Sequence, residues 1–242
     1  MMTRYRETFL NRHVVLPVIH VESREQTLRN AEIARRQRCD GVFLINHEIP
    51  YTTLLEIHHW VYEAFPDWWI GVNCLDLDPS EVFEKLTDQV AGVWVDNAMI
   101  DERVECQVMA EKITEARAKS GWCGLYFGGV AFKYQRPVND VREAARIAAG
   151  YMDVVTTSGP ATGQAAAPDK IRAMKEALGA FPLAIASGIT ARNIGNYLDT
   201  ADCFLVATGI SESRSELNEE LLKDLLDKIR GYQGPMYRTE GA

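Results

Sequence analysis

Lys133 follows the apolar run GLYFGGVAF (Gly124 to Phe132), where an ammonium can pair with a phosphate or a carboxylate. Desolvated there, it could move a proton or form a Schiff base, because burial disfavours the charged amine. Asp96 directly ends the run GVWV, so its carboxylate can serve as acid, base or metal ligand. Asp76 and Asp78 follow WWIGVNC in the segment LDLDPS, and Asp78 also suits a helix start before Pro79. His20 ends VVLPVIH as a base, a ligand or a hydrogen-bonded structural residue, and His47 carries the same alternatives. Asn73 offers both donor and acceptor, for orienting a substrate or satisfying its own turn.

A second set of residues suits anion binding. DVVTTSGPATG, PLAIASGITARN and CFLVATGIS each end an apolar run in a small, glycine-containing turn. Backbone N–H groups at such turns, and at the helix starts that follow, favour a negative charge. Gly188 precedes Ile189 to Asn193, which reads as a helix start, and Gly209 precedes Ile210-Ser211. The plain alternative is that these glycines only make tight turns.

Elements in regular alternation must carry these residues. Continuous β-branched runs suit parallel strands buried on both faces. Strands are expected at Val14–Val21, Gly41–His47, Trp68–Cys74, Gly92–Asn97, Gly124–Phe132, Asp153–Thr157, Pro182–Ala186 and Cys203–Ala207. Between them fall helical patterns at about Arg24–Arg38, Thr52–Phe65, Val82–Gln89, Arg103–Ser120 and Asp140–Tyr151, with Leu217–Tyr232 closing the chain. Ser23 reads as an N-cap with Gln26 at capping-box spacing. The pair His58-His59 is expected on the outer face of its helix, and Trp94 either inside a barrel or against its helices. Eight strand–helix units without an early GxGxxG turn favour a single (β/α)8 TIM barrel over an open doubly wound sheet. The whole chain, 1–242, is then one domain, with residues 1–12 as an N-terminal arm. The candidates named above all fall at carboxyl ends of strands, where barrel active sites lie.

Composition narrows the function classes. The chain of 242 residues is 47% hydrophobic and 25% charged, an ordinary globular balance. A net charge of −8 disfavours nucleic acid and anionic membrane surfaces as partners. Cys39, Cys74, Cys106, Cys123 and Cys203 are dispersed without CxxC spacing, which argues for reduced thiols rather than a disulfide framework or a zinc site. No HxH or HExxH spacing supports a metal site, and no cofactor is expected. No stretch approaches a membrane span, and Met1 to Arg12 is polar, so a cytoplasmic protein is expected.

From Tyr126 to Ser211 the chain resembles the BtpA family, which also includes SgcQ-like proteins. The resemblance rests on AFKY, TSGPATG, ASGITARNI and ADCFLVATGIS, with LPVIHV near the start. It implies a barrel of the ribulose-phosphate-binding type. By position, Thr162, Gly163, Ser187, Gly188, Asn193, Thr208 and Gly209 match the family's motif residues, and His20 its first-strand histidine. The chain departs from the pattern at Tyr134, where a histidine often follows the lysine, and in ISESRSE, which lacks the usual lysine. It also lacks the proline-glycine loop usual after the first strand.

The expected function is phosphate binding with chemistry on a phosphorylated sugar or nucleoside-type metabolite. Lys133, Asp96, Asp76, His20 and Asn73 are the catalytic candidates. The alternative is a non-catalytic ligand-sensing or assembly protein on a retained barrel. Homo-oligomerisation is compatible with either. The two readings differ in one checkable respect, whether His20, Asp96 and Lys133 face a common cavity.

Overall fold

A computed structural model describes residues 3–234. Met1, Met2 and residues 235–242, which the expected domain and arm include, lie outside the described residues. Eight parallel strands form a closed barrel in sequential order, each paired with the next and the last with the first. They are β1 (Val14–His20), β2 (Gly41–Ile45), β3 (Trp69–Asn73), β4 (Gly92–Val95), β5 (Leu125–Gly129), β6 (Val154–Thr157), β7 (Leu183–Ala186) and β8 (Cys203–Val206). The helices are α1 (Arg4–Thr8), α2 (Arg24–Arg36), α3 (Tyr51–Ala64), α4 (Val108–Ser120), α5 (Val141–Ala148), α6 (Pro168–Leu178) and α7 (Glu219–Arg230). This is a (β/α)8 TIM barrel. Loops are named below by the strand they follow.

The barrel interior is filled by alternate strand residues. Val14, Leu16, Val18, Phe43, Ile45, Trp94, Phe127, Val154, Ala184 and Leu205 form one buried cluster. Trp94 therefore faces the interior, with its ring 5.9 Å from that of Phe43. Glycines make room for the aromatic rings. A Cβ on Gly92 would lie 2.2 Å from the Trp69 ring, and one on Gly71 2.5 Å from Phe43. Large and small side chains thus interdigitate at the close packing of protein interiors. The arm is a plug for the barrel floor rather than a loose lead-in. Tyr5 and Phe9 of α1 and its end are buried in this cluster, with Phe9 5.3 Å from Trp69. The Tyr5 hydroxyl donates to the Asp202 carbonyl at 3.0 Å.

Three helix expectations change. Buried Gln107 bonds the backbone of Asp101 and Val104, so residues 103–107 form a loop and α4 begins at Val108. The segment after β3 is a single 3-10 turn at Val82–Lys85. After Gly188 there is no α-helix either, only a 3-10 turn at Ile194–Asn196.

The expectation for His58 is also corrected. The inward stripe of α3 is Leu54, Ile57, His58 and Val61, the i, i+3, i+4, i+7 set, so His58 is 2% exposed while His59 lies outside. Its Nε2 meets the Ile70 carbonyl at 3.3 Å. Burial lowers its pKa from 6.5 to about 4. A depressed histidine pKa contributes stability above pH 6.5 that is lost as pH falls towards 4, because the unfolded chain takes up the proton first. The shift corresponds to about 3 kcal/mol. Urea unfolding at pH 7 and pH 4.5 should show this loss, and His58→Gln should flatten it. An unchanged pH dependence in His58→Gln would sink the assignment.

Candidate functional site

At the carboxyl end of the barrel is a cavity of about 90 Å³. His20, His47, Asp96, Lys133, Thr162, Gly163, Ser187, Gly188, Thr208 and Gly209 line it. Its floor is apolar, from Val18, Ile45, Trp94, Ala186 and Leu205, the top of the interior cluster. His20, Asp96 and Lys133, which lie far apart in sequence, thus face one space. They do so because parallel strands all point their carboxyl ends to the same rim and loop 5 folds inward.

One half of the cavity holds the ionisable groups. The His20 and His47 rings stack with centroids 4.8 Å apart at 11°. Burial, then the neighbouring His47, Arg214 and Lys133, lowers the His20 pKa to about 4. Burial, Arg214 and Lys133 likewise lower that of His47. Both imidazoles are therefore neutral at neutral pH. Asp96 is raised by burial, against the lowering influence of Lys133, of the Asn73 bond and of His47. Asn73 Nδ2 donates to Asp96 Oδ1 at 3.0 Å, so Asn73 orients the carboxyl rather than lining the cavity. A buried carboxyl of raised pKa beside two imidazoles and a lysine is a set of groups of the kind used in acid–base chemistry.

The other half is made by three stacked turns. Loop 7 lies on loop 6: Ser187 Oγ donates to the Ala161 carbonyl at 3.0 Å, and a Cβ on Gly188 would lie 2.2 Å from Ala165 N. Loop 8 lies on loop 7, since a Cβ on Gly209 would lie 1.9 Å from the Ile189 carbonyl oxygen. Gly163 and Gly188 have φ of 75° and 68°, the left-handed region that favours glycine. No hydrogen bond among the described residues engages the N–H of either. Asn193 does not line the cavity. It accepts from Thr190 N at 2.9 Å and donates to the Gly188 carbonyl at 2.7 Å, fixing that peptide. With only a 3-10 turn behind Gly188, loop 7 has no helix dipole to offer, and any anion there must meet individual backbone N–H groups and hydroxyls. Loop 8 runs into a short 3-10 helix, Thr208–Ile210, at the position where barrels commonly hold phosphate.

Asp76 lies apart from the cavity. Its Oδ1 accepts from Asn46 Nδ2 at 2.6 Å and its Oδ2 from Tyr51 N at 2.9 Å, so it braces loop 3 against loop 2. Asp78 accepts from the N–H and hydroxyl of Ser80, a turn brace that holds its pKa low. In two of the cavity-lining residues a polar atom, His20 Nδ1 and Trp94 Nε1, is buried with no hydrogen-bond partner among the described residues. Buried polar atoms of this kind call for an explanation, such as a ligand or water. No group of three or more His, Cys, Asp or Glu able to hold a metal occurs among the described residues.

Residue-by-residue reading of the sequence gives no weight to Arg214. It sits in ISESRSE, and loop 8 carries it to within 3.6 Å of Glu48 across the mouth. Loop 8 is pinned by two buried amides of α2, Gln26 and Asn30, which both donate to the Ser215 carbonyl at 2.6 Å. Gln26 thus does more than cap a helix. The signal for Arg214 was its membership of a loop at the carboxyl rim.

No family model matches the chain, and no curated protein matches it. Among solved structures, it is similar to tryptophan synthase subunit alpha from Legionella pneumophila (TM-score 0.69, 13% identity, 96% of this chain and 100% of that one). It is also similar to (S)-3-O-geranylgeranylglyceryl phosphate synthase from Thermoplasma acidophilum, solved with its substrate sn-glycerol-1-phosphate (0.66, 16%, 96% and 100%). A third is orotidine 5'-phosphate decarboxylase from Pyrococcus horikoshii (0.66, 13%, 90% and 100%). At these identities the likeness shows the shared barrel fold.

Proposed function

We propose that this barrel is an enzyme of acid–base chemistry on a small phosphorylated metabolite, of the phosphosugar or nucleoside type suggested by the BtpA resemblance. The observation that carries the reading is the convergence of Asp96, His20 and Lys133 on one cavity opposite the glycine turns. A binding module has no need of that convergence.

In this reading the N–H groups of Gly163, Gly188 and Gly209 take the phosphate, with the hydroxyls of Thr162 and Thr208 beside them, while Ser187, whose hydroxyl donates to the Ala161 carbonyl, holds loop 7 on loop 6. Asn193 shapes the turn and does not touch the ligand. The carbon skeleton lies over the apolar floor, towards the ionisable half. Asp96, held by Asn73, gives or takes the proton. Where Asp96 gives its proton, neutral His20 accepts one, and Lys133 stabilises negative charge that develops on an oxygen. Asp76 supports the loops that frame this half. The phosphate-ester substrate of the Thermoplasma acidophilum neighbour supports the ligand class by analogy of fold. All five cysteines are free thiols, in keeping with a cytoplasmic setting.

A thermal-shift series of inorganic phosphate, phosphosugars and nucleoside monophosphates tests the reading. A ligand at about 100 times its Kd adds about 2.7 kcal/mol of apparent stability, a rise of several degrees for a domain of this size. The phosphorylated compounds should shift the midpoint and their dephosphorylated counterparts should not. Absence of any phosphate-dependent shift would overturn the proposal.

A further inference from the structure

Lys170 lies in the first turn of α6 and does not line the cavity. Its Nζ donates to the Ala131 carbonyl at 2.5 Å and to the Ser158 carbonyl at 2.8 Å. Those carbonyls belong to loop 5 and loop 6. Ser158 is buried, and its Oγ accepts the backbone N–H of Lys133 at 2.7 Å. Ala131, two residues before Lys133, has φ of 48°, a left-handed conformation that costs a non-glycine residue about 1–2 kcal/mol. Strain of this kind persists only where the surroundings over-determine it. Here Lys170 and the Thr157 hydroxyl, at 3.2 Å, both donate to the Ala131 carbonyl.

We propose that Lys170 is the positioning residue for Lys133: it clasps loop 5 to loop 6 and so directs the Lys133 side chain into the cavity. The inference rests on the functional role given to Lys133 above. Gln135 makes the corresponding tie on the other side of loop 5. Its Nε2 donates to the Asp96 carbonyl at 2.7 Å and its Oε1 accepts from Phe132 N at 3.2 Å. Loop 5 is therefore held at both flanks, to the end of β4 and to loop 6.

A surface role does not account for Lys170. Burial lowers its pKa to about 8, so an ammonium there is retained against a desolvation cost. No carboxylate pairs with it among the described residues. The nearby acids of its own helix, Asp169 and Glu176, are tied to Arg172 and to Arg142 of α5. A groove outside the cavity is lined by Lys170 and, from loop 5, by Lys133, Tyr134 and Arg136. The ammonium's partners are the two backbone carbonyls, which is the signature of a clasp.

The test combines amide exchange with a double-mutant cycle. In Lys170→Met, exchange of the Lys133 amide should speed up about tenfold or more, as expected when a local tie is lost. The Gln107 and Asn30 regions should keep wild-type exchange. With turnover of the best phosphate ester from the thermal-shift series as readout, Lys170→Met and Lys133→Met should lower kcat by similar factors, and the double variant should be no slower than Lys133→Met alone. Lys170→Arg, which keeps the charge and donors, should recover part of both signals. Unchanged Lys133 exchange in Lys170→Met, or losses that simply multiply in the double variant, would overturn the clasp. If wild type binds no phosphate, the functional proposal fails while the exchange measurement still decides the clasp.

Discussion

Gly188→Ala is expected to weaken phosphate-ester binding by roughly 10- to 100-fold while the barrel stays folded. The added Cβ would lie 2.2 Å from Ala165 N and 2.3 Å from Gln164 C, and both are backbone atoms that cannot swing aside. The φ of 68° adds strain of about 1–2 kcal/mol for a non-glycine residue. Loop 7 must then lift off loop 6, taking the Gly188 N–H out of line. Losing that charge-assisted hydrogen bond, at about 1.5–3 kcal/mol, weakens binding by roughly 10- to 100-fold. Calorimetric titration with the best ester from the thermal-shift series measures this. Gly195→Ala is the control, because a Cβ there meets nothing within 4 Å, and its binding should equal wild type. Wild-type affinity in Gly188→Ala would remove loop 7 from the anion site.

Asp96→Asn is expected to lower kcat by about 10²–10⁴-fold, the usual contribution of a general acid or base. The substitution keeps the shape and still offers an oxygen to Asn73 Nδ2, so ester binding should change by no more than about threefold. Stability should move the other way. Burial raises the Asp96 pKa in the folded protein, so the folded state holds its proton longer than the unfolded chain does. Such a group contributes stability at pH below its unfolded pKa, and that contribution is lost as pH rises through its folded pKa. At neutral pH burying Asp96 is thus a net cost, and Asp96→Asn should raise Tm by a degree or more. Loss of turnover together with a gain in Tm is the pattern of a group kept for chemistry. A variant that is destabilised and fully active would assign Asp96 a structural role instead.

Much of the fold was legible in the chain because it depends on local periodicity. Buried parallel strands need continuous apolar runs, and β1, β2 and β5 begin within a residue or so of theirs. The helix boundaries were less legible where side chains compete for the backbone. Gln107 unravels the expected start of α4, and Asn193 replaces an expected helix with one turn. His58 was misassigned because two adjacent histidines read as polar, while helical spacing places one of them among Leu54, Ile57 and Val61.

For the site, sequence alone determined which residues stand at the rim. Each strand's last residues and the glycines that follow are set by where the apolar run stops, and all eight strands are parallel, so their carboxyl ends share one face. The sequence therefore marked out His20, Asn73, Asp96, Lys133 and the three glycine turns as candidates. Only the tertiary structure decided what each one faces. It pairs Asn73 with Asp96, spends Asp76 on Asn46 and Tyr51, stacks His20 on His47, and turns Asn193 inward on its own loop. It also brings Arg214 and Lys170 to the site's surroundings from segments with no motif. The physical reason is that strand direction is a local property of the backbone. Hydrogen-bond partners and burial, which set charge state and orientation, come mostly from residues distant in the chain: Asn73 and Asp96 are 23 positions apart, Gln26 and Ser215 189.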